Sequence, residues 1–180
     1  CAYVNPAASN TITVGLCVEQ VTATLANTGP VCYPSLGAAF AAINAGTHQG
    51  TITVRINGST VEPVTAVLNA SGTGSASYAS VRIFPTVSGL SVTGNLNAPM
   101  ISLNGADYVR FDGRVNAAGT TVDLIITNTN TGSSASTIEL NNVATRNVIQ
   151  YCQISGSTTA VNGGVIQFGT SSSNYNNRNR

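Results

Sequence analysis

The chain has 180 residues, 42 % of them apolar and only 7 % charged; its seven cationic side chains are all arginine, and the formal net charge is +1. That length and apolar fraction allow one domain with a sizeable core, whereas disordered chains pair low apolarity with high charge. A net charge of +1 carries no polybasic footprint for nucleic-acid phosphates or an anionic membrane surface, and no apolar run reaches the roughly 18 residues of a spanning helix, so neither nucleic acid nor a membrane span is expected.

Residues 1–34 read as a loop-rich entry segment with strand-like stretches at Thr11-Ile12-Thr13-Val14 and from Val18 to Leu25. No signal peptide is visible, and a start at Cys1 fits the removal of one. The four cysteines stand at 1, 17, 32 and 152. They form no CxxC pair and the single His48 stands alone, so no metal site is expected. A disulfide between Cys17 and Cys32 is the expected use of two of them; the alternative is four buried or free thiols. Such a bridge fits an oxidising compartment, hence an extracellular or cell-surface location. Cys152 lies in a strand pattern and reads as a core residue.

Residues 35–44 are the one convincing helix. Ser35 follows Pro34 as an N-cap. Leu36, Phe40 and Ile43 recur at i, i+4 and i+7 and share a face. Ala38, Ala39, Ala41 and Ala42 supply propensity, and Asn44-Ala45-Gly46 ends the element. His48, just beyond, reads as a loop residue. From Thr51 onward strands and turns alternate. Ile52, Val54 and Ile56 face one way and Thr51, Thr53 and Arg55 the other. Short runs follow at Val81–Phe84, Leu90–Val92, Met100–Leu103, Tyr108–Phe111, Val122–Thr127, Thr137–Leu140, Asn147–Ile154 and Val165–Phe168, bounded by Gly, Asn, Ser or Asp.

Three of these runs repeat loosely. Ile101-Ser102-Leu103-Asn104, Ile138-Glu139-Leu140-Asn141 and Ile166-Gln167-Phe168-Gly169 lie 37 and 28 residues apart. Unequal spacing fits a solenoid whose coils carry loops of different lengths. A β-sandwich also has many short strands, but the helix ahead of the first strand and the Asn/Gly-rich corners favour the solenoid. The expected fold is all-β: a right-handed parallel β-helix with a short N-terminal capping α-helix, spanning residues 35–180.

Two segments carry a resemblance. Tyr33-Pro34-Ser35-Leu36-Gly37-Ala38-Ala39-Phe40-Ala41-Ala42-Ile43 resembles the N-terminal capping helix of pectin-lyase-like β-helices, and residues 50–62 resemble their first coil. Gly105-Ala106-Asp107-Tyr108-Val109-Arg110-Phe111-Asp112-Gly113-Arg114 resembles a coil of large secreted β-helix proteins from Bacteroidota-type bacteria, many of them cargo of the type IX secretion system. The resemblance covers roughly residues 33–180 and implies a secreted or surface protein without specifying an activity. It also implies that a further strand follows the polar stretch Ser171 to Arg180. An uncovered coil at that end has unpaired edges, so the chain is expected to belong to a longer protein or to self-associate through its open C-terminal coil.

The local charge cluster is Arg110, Asp112 and Arg114. At period two these residues share a face with Tyr108, opposite Val109 and Phe111. As a site, Tyr108, Arg110, Asp112 and Arg114 are the candidate ligand-binding residues, for a surface polysaccharide or another protein. The bland alternative is a solvated ion-pair ladder at a coil corner. No catalytic residue is assigned and no cofactor is expected: six carboxylates are scattered along the chain, with no G-x-S-x-G, phosphate loop or calcium repeat. The leading expectation is a non-enzymatic extracellular structural or adhesive module. The alternatives are the N-terminal part of a carbohydrate-active β-helix enzyme with its site downstream, and a subunit of an extracellular filament.

Overall fold

Short apolar–polar alternations interrupted by Gly, Asn and Ser close into coils. The computed structural model describes residues 17–160, 163–169, 176 and 178–180; Cys1 and the expected strand at Thr11–Val14 lie outside them. An antiparallel hairpin, β1 (Glu19–Ala26) and β2 (Val31–Tyr33), leads into the helix α1 (Leu36–Asn44). Four coils follow, each of three strands. The first holds β3 (His48–Ile56), β4 (Thr60–Glu62) and β5 (Ala66–Asn69); the second, β6 (Tyr78–Pro85), β7 (Leu90–Gly94) and β8 (Pro99–Asn104). The third holds β9 (Val109–Asp112), β10 (Leu124–Asn128) and β11 (Ser136–Asn141); the fourth, β12 (Val148–Gln150), β13 (Cys152–Gly156) and β14 (Gly164–Phe168).

Equivalent strands stack in parallel. Sheet one runs β12-β9-β6-β3-β1-β2, sheet two β13-β10-β7-β4 and sheet three β14-β11-β8-β5. Among the described strands only β1 pairs antiparallel, with β3 on one side and β2 on the other. The molecule is therefore a β-solenoid of four coils with one helix. The loose repeat in the sequence is literal stacking: Ile101, Ile138 and Ile166 are register partners, as are Leu103, Leu140 and Phe168. Coil length varies, because Thr127 and Ser155, stacked on each other, are 28 residues apart, whereas Asp107 reaches Thr145 across 38.

The inward columns form one continuous apolar core, with Ile52 on Val81 on Val109 and Val54 on Ile83 on Phe111. Each fully buried aliphatic or aromatic side chain contributes about 1.5–3 kcal/mol. The helix closes the first-coil end of this core. Ser35, in extended conformation, caps it by accepting from the Ala38 N–H at 3.1 Å. Leu36, Ala39, Phe40 and Ile43 are all buried, and α1 lies against β5. A second cap comes from across the fold: the Glu62 carboxylate accepts from the N–H groups of Leu36 and Gly37, both at 2.9 Å. The Cys17–Cys32 disulfide is formed and ties the segment before β1 to β2. Cys152 is a free thiol packed at the edge of the core.

Three expectations need correction. His48 is not a loop residue. It opens β3, is completely buried, and bridges the Tyr33 hydroxyl at 2.8 Å to the Asn27 carbonyl at 3.0 Å. The run from Asn147 to Ile154 is two strands on different sheets, broken at Tyr151, whose φ of 52° turns the corner. The run from Val122 starts at Leu124.

Asparagines bind the corners. Asn44 of the helix donates to the Val67 carbonyl and accepts from the Asn69 N–H, and the Asn104 amide donates to Asn69 Oδ1 at 2.9 Å. Asn128, which is buried, holds the turn between sheets two and three: it takes the Leu96 N–H and donates to the Leu96 and Ser136 carbonyls. Beyond the fourth coil, Arg180 donates its N–H to the Asn147 carbonyl and accepts from the Ile149 N–H, so sheet one is continued by one more bridge.

Candidate functional site

The outward face of sheet one carries the cluster of interest. In register, Thr53 is followed by Arg82, Arg110 and Val148 on successive strands, and Arg180 brackets Val148 with its backbone hydrogen bonds. One corner upstream, Tyr108, Arg146 and Arg178 share the left-handed conformation, with φ of 57°, 57° and 56°. A non-glycine residue there is unfavourable and persists only where its surroundings fix it. Asn147 supplies that support, donating to the Ala106 carbonyl at 2.8 Å and accepting from the Val109 N–H at 2.9 Å. Asn179 repeats the motif one coil on, between the Ala144 carbonyl and the Asn147 N–H. Asp107 accepts from the Thr145 N–H and hydroxyl at 2.7 and 2.8 Å.

These corners and strands enclose an open cavity of about 520 Å³ lined by Tyr108 and by Arg82, Arg110, Arg146, Arg178 and Arg180. Five of the seven arginines of the chain thus meet in one groove. The Arg146 guanidinium stands 5.3 Å from the Tyr108 ring centroid, an attraction of cation to ring face. The low net charge conceals this segregation: it is a sum over the chain and says nothing of where the charges gather.

Of the four residues singled out from sequence, Tyr108 and Arg110 line the cavity, while Asp112 and Arg114 do not. Asp112 is neither an exposed ligand contact nor part of a solvated ladder; its side chain is completely covered. Arg114 folds back over it, with Nε and Nη2 each 2.7 Å from a carboxylate oxygen, and Gln150 donates from 2.8 Å. Hydrogen bonding by Arg114 holds the Asp112 carboxyl below its usual range against the opposing effect of burial. The period-two reading failed because Arg114 lies past the end of β9, where its guanidinium stacks 4.4 Å from the Tyr151 ring centroid. Arg82 reaches Asp112 at 3.7 Å. Arg110, Arg146, Arg178 and Arg180 have no carboxylate partner among the described residues. A faint signal for the groove was present, since Val81-Arg82-Ile83 and Val109-Arg110-Phe111 share a pattern; Arg146, Arg178 and Arg180 gave none.

A second chemical candidate is the buried pair Glu19 and Glu62. Glu19 is fully enclosed, neither carboxyl oxygen has a hydrogen-bond partner among the described residues, and burial, reinforced by Glu62, pushes its carboxyl up to about 9. Burial raises Glu62 as well, opposed by its bonds to the helix N-terminus. Raised carboxyls often mark active sites. Here they lie under the capping helix, and neither of the two cavities described in this section reaches them. The other cavity, about 260 Å³, is at the exposed end of the fourth coil, between Ile149, Tyr151, Ile154, Ile166 and Phe168. No three His, Cys, Asp or Glu side chains converge among the described residues.

Comparison with protein-family models, with curated proteins and with solved structures returned no match. The class that the fold defines is the parallel β-solenoid. No described helix is long and apolar enough to cross a membrane, and the Cys17–Cys32 bridge is compatible with an extracellular location.

Proposed function

We propose that the chain is a non-enzymatic, extracellular adhesive module of a secreted or cell-surface solenoid, akin to the large pectin-lyase-like β-helix proteins its coil sequences resemble. The observation that carries this reading is the groove on sheet one, where Tyr108 and Arg110 stand exposed on a backbone braced by Asn147 and Asp107. A stack of coils with hydrogen-bonded corners holds such a face rigid without needing a partner to order it. The test is retention of glycan-coated beads by the immobilised chain, compared with Tyr108→Ala and Arg110→Ala. Loss in both variants, with unchanged circular dichroism, supports adhesion through this face. Beads retained equally by all three proteins, or by none, refute it. Release of reducing or unsaturated sugars from the beads would instead favour an enzyme.

A second reading, self-association, rests on the opposite end. Ile166 and Phe168 are 40 % and 55 % exposed there, and among the described residues the outer edges of β13 and β14 have no strand partner, whereas β12 is bridged by Arg180. Open strand edges are templates for further strands. Sedimentation of wild type and Phe168→Lys distinguishes the two: a filament subunit sediments as large species that the substitution dissolves.

A further inference from the structure

The groove is unusual in what it offers a ligand. A guanidinium has five N–H donors and no acceptor, and five of them line the cavity. The neutral side chains that add polarity are the hydroxyls of Tyr108 and Ser80. Of the carboxylates nearby, Asp112 is sealed beneath Arg114 and reaches Arg82 at the margin, and Asp107, at the Tyr108 corner, is engaged by the Thr145 N–H and hydroxyl. Neutral sugars present donors and acceptors together, so they need a mixed surface. A surface almost wholly of donors matches anionic groups that only accept, namely carboxylates and sulfate or phosphate esters, of which the sulfate ester presents the most terminal oxygens for several guanidinium groups to share. Guanidinium forks bind such groups through two parallel hydrogen bonds.

The arrangement is also linear. Arg82 and Arg110 are register partners on adjacent strands, about 5 Å apart along the stack. Arg180 lies on the far side of Val148, and Arg146 and Arg178 repeat the Tyr108 corner. The row of positive charge therefore runs along the solenoid axis, suited to a polymer rather than a single ion. Among the described residues Tyr108 is the one aromatic side chain lining the groove, and Arg146 already occupies its ring. Single-stranded nucleic acid is held by successive aromatic platforms, which the described lining of this groove does not supply, and the disulfide fits an oxidising, extracellular setting.

We infer that the five-arginine groove on sheet one is a binding site for a sulfated polysaccharide lying along the solenoid axis. This rests on the adhesive reading and names its ligand class. The test measures binding of the full chain to dextran sulfate, dextran, polygalacturonate and single-stranded oligothymidine at low and physiological salt. Dextran sulfate should bind most tightly, with affinity falling as salt rises. Arg110→Gln and Arg146→Gln should each weaken it about tenfold or more. Arg55→Gln, which removes the same charge outside the groove, should leave it unchanged. Dextran bound as well as dextran sulfate, and lost in Tyr108→Ala alone, would overturn the sulfate inference while the adhesive reading survives. Equal binding of polygalacturonate or of the oligothymidine would also overturn it, as would equal weakening by Arg55→Gln. Failure of every probe to bind would sink both readings.

Discussion

Glu19→Gln isolates the buried carboxyl at the start of β1. In the unfolded chain that group has an ordinary value of 4.5, whereas enclosure beside Glu62 lifts it to about 9 in the native state. Between those values the native protein keeps a proton that the unfolded chain has released. The sign follows: the stability linked to this proton is full below about pH 4.5 and is lost as pH rises toward 9. Each pH unit inside that window is worth about 1.4 kcal/mol, so raising the pH from about 6 to 8 removes about 3 kcal/mol. Glutamine has nearly the same shape and does not titrate, so the variant should lose this slope while keeping the dependence due to other groups, Glu62 among them. Urea unfolding followed by far-UV circular dichroism at several pH values, with m checked for constancy, measures the difference. Parallel stability curves for the two proteins would refute the reasoning and mean that the carboxyl is hydrated in solution.

Phe40→Ala should lower stability by about 3–5 kcal/mol, because the ring is wholly buried between helix and first coil; a loss under about 1 kcal/mol in chemical denaturation would show that the helix does not close the core. Reduction of Cys17–Cys32, which spans 15 residues, should cost about 3 kcal/mol, and reductant should leave the melting of the double Cys→Ser variant unmoved. Asn147→Ala strips the Ala106 carbonyl and the Val109 N–H of their partner; an expected loss of about 1–3 kcal/mol should come with weaker ligand retention, since the Tyr108 corner is then unsupported.

Much of the architecture was legible because its causes are local. The Leu36, Phe40, Ile43 spacing and the Ser35 cap are contained within one short segment, and that segment is the helix. The Ile101, Ile138 and Ile166 runs announced the stacking, since each must bury the same two positions against its neighbours. What escaped depended on register between coils. β4 and β5 hold three and four residues, too few to display a period. His48 is polar and follows a glycine stop, yet Tyr33 and Asn27, both from the entry hairpin region, satisfy its ring and allow burial. The groove was the largest omission. Arg82, Arg110, Arg146 and Arg178 are far apart along the chain, and variable coil length hides the alignment until the corners are seen to match.

The asparagine-bound corners separate the stack from its loops. Asn69 and Asn104 satisfy one row of turns and Asn128 another, with partners in the strand ends or the neighbouring coil. Segments between corners, such as the stretch from Gly113 to Asp123, are then free to change length without shifting any strand, and the 28- and 38-residue separations show that they do. A peptide inserted into that stretch would emerge beside the arginine groove on a frame that does not move. The solenoid is in this sense a modular display surface, in which new specificities can be grafted one coil at a time while the core beneath keeps its register.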